Sequence, residues 1–293
     1  MIMKWLVYGH KGWIGKQVCK ILEDINEIVI YGESRADNDI DVENELLKNK
    51  PDRVVSLIGR TYGPGYSTID YLEQKGKLVE NVNDNLYAPL VLTLLCKKHG
   101  IHYTYLGTGC IFNGYNSGNG YKEDDKPDFF GSGYSTVKGF TDRLLHFYDD
   151  SVLNCRIRMP ITADDSHRNF IIKIMTYKKI CSIPNSMSVL PDLLPLMIDM
   201  AKNKVTGTVN LTNPGIITHN EILDMARDII DPNLEWENFS IEEQDKILSS
   251  ERSNNMLNTY LLEEMYPHIL PIKESVRNIL IIMKENNISV NKK

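Results

Sequence analysis

The chain has 293 residues, of which 42% are hydrophobic and 25% are charged, and its net charge is −6. This composition is typical of a folded globular protein and excludes disorder, collagen and low-complexity repeats. The acidic balance provides no global positive field, so we expect neither nucleic acid nor a membrane as a partner. The length predicts one large domain or two closely joined lobes.

The cysteine pattern and the lengths of the apolar stretches indicate the compartment. The five cysteines are odd in number, widely spread and never arranged as C-x-x-C, which argues against a disulfide framework and a zinc cluster. The apolar start of the chain is too short for a secretory signal, and every other apolar stretch is far shorter than a membrane span. We therefore expect a cytoplasmic protein without a bound metal.

Strand and helix patterns alternate through the first half of the chain. In chain order the sequence predicts a strand at 3–8, a helix at 14–24, strands at 27–31 and 53–58, a long helical segment from about 70 to 99, a strand at 102–106, a helix at 134–148 and a strand at 153–158. An acidic, helix-like stretch separates the second and third strands. This order predicts an α/β fold of the Rossmann type, a doubly wound parallel sheet with helices on both faces.

The pattern changes after about residue 160, where prolines separate shorter elements. We expect a dinucleotide-binding Rossmann domain at 1–160 and a smaller C-terminal lobe, mainly for substrate binding, at 161–293. A strand-like stretch at 205–211 is expected to return to the sheet, so the two parts should be interwoven.

The first motif with chemical meaning is the turn Gly9–Gly15, which reads G-x-x-G-x-x-G between a strand and a helix. Gly9 permits a tight turn, Gly12 lets backbone amides approach a pyrophosphate, and Gly15 allows the helix to pack closely. A glycine triplet alone is weak evidence. Its place at the first strand-to-helix turn favours a dinucleotide site.

The end of the second strand should select the cofactor, because an acidic residue there binds a ribose hydroxyl and a cation binds a 2′-phosphate. Glu33 favours NAD, whereas Ser34 and Arg35, with Lys11 in the glycine turn, favour NADP. We expect NADP, since Arg35 lies about 20 residues beyond the glycine turn. The alternative is a solvated arginine on a loop.

A tyrosine and a lysine one helical turn apart form the second motif. Tyr134 and Lys138 share a helix face, so the lysine can depress the tyrosine pKa and hold a ribose. Tyr71 and Lys75 have the same spacing, but only the first pair follows a strand end, and we expect Tyr71 at the surface. Thr108, at that strand end, can polarise a substrate carbonyl beside Tyr134.

These motifs resemble the extended short-chain dehydrogenase/reductases. A closer resemblance, covering nearly the whole chain, is to the bifunctional UDP-4-keto-6-deoxy-glucose 3,5-epimerase/4-reductases of UDP-rhamnose synthesis. It is carried by the stretches 107–112, 158–160, 168–170, 183–187, 212–215, 219–222 and 252–255. The resemblance implies that one site epimerises C3 and C5 of a 4-keto sugar and then reduces C4 with NADPH.

Inverting a carbon requires a base on one face and an acid on the other. The resemblance implies Cys110 as the base, because it matches a catalytic cysteine of GDP-fucose synthases; the alternative is an inert buried cysteine. It implies Lys173 as the acid, with His167 and His219 as alternatives. Related reductases without epimerase activity have Asp and Tyr where this chain has Gly109 and Cys110, so this departure argues against reduction alone.

The remaining site residues also follow from the resemblance. The expected cofactor contacts outside the glycines and the β2 end are Lys11, Trp13, Ile14, Gly59, Arg60, Asn85, Tyr134 and Lys138. The expected substrate contacts are Thr108, Asn169, Asn185, Arg252 and Asn254. An arginine in this set suits a pyrophosphate, which it can bind with two parallel hydrogen bonds.

The sequence leaves several functions open. The leading one is the bifunctional enzyme with a UDP-linked 4-keto-6-deoxy sugar as substrate and a separate 4,6-dehydratase as its supplier. A second is an epimerase or reductase of a dTDP- or GDP-linked sugar. A third is a regulatory protein on the same fold, against which the intact set of catalytic residues argues. A homodimer also stays open.

Overall fold

The computed structural model describes residues 2–288; Met1 and residues 289–293, at the ends of the two predicted parts, lie outside the described residues. The chain forms two compact units, and both are discontinuous in sequence. The first unit consists of Met1–Ile111, Asp124–Arg156 and Leu194–Val209, and the second of Phe112–Glu123, Ile157–Leu193 and Asn210–Lys293.

A six-stranded sheet organises the first unit. Its strands are β1 (Lys4–Tyr8), β2 (Ile28–Tyr31), β3 (Arg53–Ser56), β4 (His102–Thr108), β5 (Val152–Ile157) and β9 (Gly207–Asn210), in the order β2-β1-β3-β4-β5-β9. The pairs β1–β2, β1–β3 and β3–β4 are parallel, with Leu6 opposite both Ile30 and Val54. The chain direction across the sheet reverses between β1 and β3, which is where such folds bind ligands. The predicted Rossmann-type fold is confirmed.

Helices cover this sheet because each has one apolar face. They are α1 (Trp13–Asp24), α2 (Asp39–Asn49), α3 (Leu78–Val82), α4 (Ala88–Lys98), α5 (Gly133–Leu145) and α7 (Leu190–Lys202), the last of which begins in the second unit. The buried side of α1 is formed by Gly15, Val18, Cys19 and Leu22, at helical spacing. The core beside it includes Leu6, Val54 and Tyr103. The sheet therefore receives its ligand-binding turns at fixed positions.

The long helix predicted from about 70 to 99 is only partly correct. The structure has one 3₁₀ turn at Ile69–Tyr71 and a continuous helical stretch from α3 through a π-helical turn at Asn83–Tyr87 into α4. The residues between are not helical, because Gly76 has φ of +82°, which no right-handed helix accommodates. The break leaves the preceding segment available to fold over the end of β4.

The second unit consists of short elements around its own core. They are β6 (Pro160–Ile161), α6 (Phe170–Thr176), β7 (Lys179–Ile180), β8 (Ser188–Val189), α8 (His219–Ile229), β10 (Glu237–Asn238), α9 (Ile241–Asp245), α10 (Tyr260–Met265) and α11 (Ile272–Glu285). Their core includes Ile171, Met187, Leu223 and Leu280, all buried. Helix α8 begins at a capping box in which Thr218 and Glu221 each bind the other's backbone amide.

Cys110 differs from the other cysteines in its exposure. All five lie within residues 2–288 and are free thiols; four are buried, whereas Cys110 is half-buried. In the same range no His, Cys, Asp and Glu side chains are grouped so that three of them could hold a metal ion. No helix of that range is long and apolar enough to cross a membrane.

Candidate active site

The turn after β1 forms a cradle of glycine backbone. Gly9 has φ of +78°, and a Cβ there would lie 2.9 Å from the carbonyl carbon of Leu57. A Cβ on Gly15 would lie 2.1 Å from the Gly9 carbonyl oxygen, so only glycine permits this approach. Gly12 begins α1 without a side-chain cap, and the first helical turn carries no acidic residue. The cradle and its backbone amides fit the pyrophosphate of a dinucleotide, and the predicted contacts Lys11, Trp13 and Ile14 belong to the same turn.

The carboxyl end of β2 is held by one carboxylate. Glu45 accepts hydrogen bonds from the amides of Glu33 at 2.8 Å and Ser34 at 3.3 Å. The Arg35 side chain is 74% exposed and pairs with Asp37 at 2.7 Å. This hydrogen-bonded pair lowers the pKa of Asp37. Ser34 and Arg35 thus lie at the predicted strand end, with Asp37 as a carboxylate that would compete with a phosphate for the guanidinium.

Asn85 shapes the loop after β3. Its amide oxygen accepts from the Arg60 amide and its amide nitrogen donates to the Arg60 carbonyl, both at 3.1 Å. The same nitrogen donates to Asn81 at 2.9 Å, and the Arg60 guanidinium pairs with Asp84. Because the Asn85 side chain is fully buried and occupied by these bonds, it fixes the backbone at Gly59 and Arg60, where a cofactor contact is predicted.

Four predicted catalytic residues come together where β4 ends and α5 begins. The Thr108 hydroxyl accepts from the Cys110 amide at 3.1 Å and is also a hydrogen-bond partner of Tyr134. Cys110 packs against Tyr134 in a small apolar cluster. Lys138 lies one turn further along α5 and is 3% exposed. A proton donor, a polarising hydroxyl, a thiol and an ammonium therefore belong to one group.

Burial controls the ionisation of this group. It raises the pKa of Tyr134 well above the ordinary value, with Cys110 adding to the effect and Thr108 opposing it. Burial lowers the pKa of Lys138 to about 7, against the charges of Asp142 and Cys110. The expectation that Lys138 depresses the tyrosine pKa is not met, because its ammonium donates to Tyr105 and burial outweighs every charge near Tyr134.

The prediction that Tyr71 lies at the surface is wrong. Its side chain is 5% exposed and packs with Leu72 against Tyr134, and its hydroxyl donates to Glu80 at 2.7 Å. Glu73 accepts from the Gly133 amide at 2.8 Å, which ties this segment to the first residue of α5. The sequence gave no sign of these contacts, since they depend on a non-helical chain reversal rather than on a periodic pattern.

Asn169 and Lys173 stand at the start of α6 in the second unit. Asn169 is fully buried, caps the helix, and donates to the carbonyls of Thr162 and Asp164, both at 2.8 Å. Its side chain therefore fixes the loop that leads into α6. Burial lowers the pKa of Lys173, and the nearby charge of Arg168 adds to this. A lysine in such surroundings can exchange protons more readily than an exposed one.

The alternative acids are less suited. Burial lowers the pKa of His219 to about 4, and its ring meets Phe170 edge-on at 5.2 Å between centroids. Burial and the charges of Arg168 and Lys173 lower the pKa of His167 as well. Both imidazoles are therefore neutral near pH 7, where His219 in particular holds no acidic proton on a charged ring.

Another pair of predicted substrate contacts in the second unit is joined directly. The Asn185 amide nitrogen donates to the Asn254 oxygen at 2.9 Å, and its oxygen accepts from the buried Arg158 guanidinium at 2.8 Å. Arg252, two residues before Asn254, donates to the Ser250 carbonyl at 3.1 Å. The structure thus places Asn185, Arg252 and Asn254 in one loop region.

Comparison with known proteins places this geometry in a family. The chain is 60% identical to protein L780 of Acanthamoeba polyphaga mimivirus over 286 residues, which is 96% of the chain and 99% of L780. The crystal structure of the L780 UDP-rhamnose synthase superposes with a TM-score of 0.95 at 59% identity, covering 97% of this chain and 100% of that one. A bifunctional dTDP-4-dehydrorhamnose 3,5-epimerase/reductase of Arabidopsis thaliana is 40% identical over 93% of the chain and 90% of its own length. The chain belongs to this family of nucleotide-sugar epimerase/reductases.

Membership of this family confirms the resemblance found in the motifs. The fold extends to distant members of the extended short-chain dehydrogenase/reductases. The dTDP-4-dehydrorhamnose reductase of Bacillus anthracis, in complex with NADP, superposes with a TM-score of 0.76 at 16% identity, covering 96% of this chain and 99% of that one. No family model matches the chain.

Replacing Lys138 should stabilise the protein near neutral pH. Its pKa is about 7 in the folded chain and about 10.4 in an unfolded one, so the unfolded state holds more protons between these values. Stability must therefore rise with pH across that window. We expect Lys138→Met to raise the free energy of unfolding by about 2 kcal/mol at pH 6, with most of the gain gone by pH 10.

Urea denaturation of both proteins at several pH values checks this expectation. The matched control is Lys16→Met, which removes an exposed lysine from α1 and should change little at any pH. A gain for Lys138→Met that does not depend on pH would contradict the expectation.

Proposed function

We propose that this protein converts UDP-4-keto-6-deoxy-glucose to UDP-rhamnose by 3,5-epimerisation followed by NADPH-dependent reduction at C4. The observation that carries the proposal is the contact of a half-buried thiol, Cys110, with Tyr134 in the group that contains Thr108 and Lys138. A ketone at C4 acidifies the C–H bonds at C3 and C5 and also accepts a hydride, so one carbonyl serves both reactions. The relationship to L780 supports the UDP-linked substrate.

In the epimerisation, Cys110 acts as the base in its thiolate form. The C–H bond at C3 or C5 breaks, its proton passes to the Cys110 sulfur, and the electron pair moves into the C4 oxygen as an enolate. Thr108 donates a hydrogen bond to that oxygen. Lys173 gives a proton to the opposite face of the carbon, which completes the inversion. The lowered pKa of Lys173 makes its proton available near neutral pH.

In the reduction, Tyr134 donates a proton to the C4 oxygen. NADPH supplies the hydride for C4 when bound. Lys138 lies on the Tyr134 side of α5 and is proposed to stabilise the phenolate that forms and to hold the ribose. The glycine turn from Gly9 to Gly15 would hold the pyrophosphate of the cofactor, and Ser34, Arg35, Gly59, Arg60 and Asn85 complete its proposed site. The bare amides of the cradle support this assignment.

The nucleotide end of the sugar substrate is assigned to the second unit. We infer that Arg252 binds its pyrophosphate, since a guanidinium offers two parallel donors. Asn254 and Asn185 are joined by a hydrogen bond in the same loop region, and Asn169 fixes the loop before α6. These residues form the proposed substrate set.

A 4-keto-6-deoxy sugar is the product of a dehydration, so a separate 4,6-dehydratase must supply it. We propose a cytoplasmic location for both steps, in keeping with the free thiols. A homodimer is compatible with this function and is tested by molecular mass in solution. The intact catalytic group argues against a regulatory protein without activity.

The direct test is incubation with NADPH and UDP-4-keto-6-deoxy-glucose, followed by NMR of the product. We expect UDP-rhamnose, identified by the inverted configuration at C3 and C5 and by the C4 proton. The dTDP-linked substrate is the second arm, and we expect lower kcat/KM there. Cofactor oxidation without inversion would identify a reductase and contradict the bifunctional proposal.

The cofactor assignment predicts a selective effect at Arg35. We expect Arg35→Ala to weaken NADPH binding about tenfold, or about 1.4 kcal/mol, and to leave NADH binding nearly unchanged, because only NADPH carries the 2′-phosphate. Titration calorimetry with both cofactors measures this. Lys20→Ala, which removes another exposed cation paired with a carboxylate, is the control. Equal weakening of NADPH and NADH would refute the phosphate contact.

Solvent exchange separates the two reactions. In deuterated buffer without NADPH, the protein should incorporate deuterium at C3 and C5 of the 4-keto sugar, because epimerisation breaks both C–H bonds without net hydride transfer. Cys110→Ala should lose this exchange, and Lys173→Ala should block completed inversion. Tyr134→Phe should retain some exchange but form no reduced product. NMR and mass spectrometry follow both positions.

The matched control for Cys110 is Cys181→Ala, since Cys181 is a buried thiol of the second unit. It should exchange as the unmodified protein does. Both Cys110→Ala and Lys173→Ala should still bind NADPH, because neither residue belongs to the glycine turn. Undiminished exchange in Cys110→Ala would show that Cys110 is a packing residue.

A further inference from the structure

The ammonium of Lys138 has a partner that the motif does not predict. Its nitrogen donates to the Tyr105 hydroxyl and lies 4.5 Å from the centroid of the same ring. Tyr105 is 1% exposed on β4, three residues before Thr108. A single side chain thus offers the buried cation both an oxygen lone pair and the negative face of a π system.

No other neighbour replaces this contact. Asp142, one turn beyond Lys138, receives Arg156 on both carboxylate oxygens, at 2.8 and 2.7 Å, and Asn154 at 2.9 Å, so its charge is shared with a guanidinium. The titratable and charged groups that act on Lys138 or Tyr105 are Cys110, Tyr103, Tyr134 and Asp142. Cys110 and Tyr134 are assigned to the sugar, which leaves Tyr105 as the constant acceptor.

We propose that Tyr105 is a positioning residue for the reduction, which holds the ammonium of Lys138 in place and keeps it protonated. The proposal rests on the proposed function, in which Lys138 assists Tyr134. Burial raises the pKa of the Tyr105 phenol far above its ordinary value, so this group stays neutral and does not compete with Tyr134 as a proton donor. Its oxygen remains an acceptor at every pH at which the protein is folded.

The test removes one oxygen atom and measures the titration of Lys138 directly. In protein labelled with ¹³C at the lysine Cε, the Lys138 signal is assigned by its loss in Lys138→Met. Tyr105→Phe should lower the pH at which this signal titrates by about one unit, because a buried ammonium loses an acceptor. Tyr105→Leu, which also removes the ring, should lower it further. Since Phe keeps the packing of the ring, a cooperative melting transition checks that the variant folds.

Kinetics give a second readout. With Tyr105→Phe, the alkaline limb of the pH profile of kcat for reduction should move to lower pH by the same amount. We expect a loss of at least fivefold at pH 8 and recovery to within twofold at pH 6, with KM for the sugar unchanged. A purely structural role would lower kcat equally at all pH values.

The control is Tyr103→Phe, which removes an equally buried hydroxyl two residues earlier on the same face of β4. It should leave the Lys138 titration unchanged. An unchanged titration in Tyr105→Phe, or an equal shift in Tyr103→Phe, would overturn the proposal. The NMR measurement needs no substrate, so a Lys138 shift in a protein that reduces no 4-keto sugar would support the Tyr105 contact while contradicting the proposed function.

Discussion

The buried ion pair between Asp142 and Arg156 is the interaction on which the catalytic group depends. Arg156 is fully buried on β5, and both of its hydrogen bonds to Asp142 are shorter than 2.9 Å. A buried pair of this kind contributes little net stability compared with apolar packing, but breaking it costs about 3 to 5 kcal/mol. Its effect is to fix the rotation and height of α5 on the sheet. Tyr134 and Lys138 lie on that helix, so their positions relative to Thr108 follow from it.

Placing a lysine in this core works against stability. The surroundings of Lys138 lower its pKa to about 7, which means that the folded chain binds the proton more weakly than the unfolded chain does. The same burial removes water from Tyr134, where a proton must be transferred in a defined direction. Strengthened electrostatic interactions in a dry site are a general source of catalysis. The energetic penalty at Lys138 and the chemistry at Tyr134 therefore have one physical cause.

Side-chain amides replace backbone ladders in the second unit. Its strands β6 and β8 have only two residues each, so they satisfy few backbone groups. Asn213 accepts from the Val189 amide at 2.8 Å, and Asn210 donates to the carbonyls of Tyr121 and Asn258 at 2.9 and 3.0 Å. Buried polar groups of the irregular backbone are paired in this way. Rigid loops of this kind suit a surface that must present Arg252 and Asn254 in fixed positions.

The sequence by itself determined the sheet, the glycine turn and the Tyr134–Lys138 pair, because each depends on residues close together in the chain. Period-two and period-3.6 patterns arise from local backbone geometry, and the steric need for Gly15 is set by Gly9, six residues earlier. Only the tertiary structure decided that Tyr71 covers Tyr134 and that Lys138 donates to Tyr105. Lys138 and Tyr105 are 33 residues apart in sequence, and no local pattern encodes such a contact. Ionisation in the site depends on how much water the whole fold excludes, and this is a property of the packed core rather than of any motif.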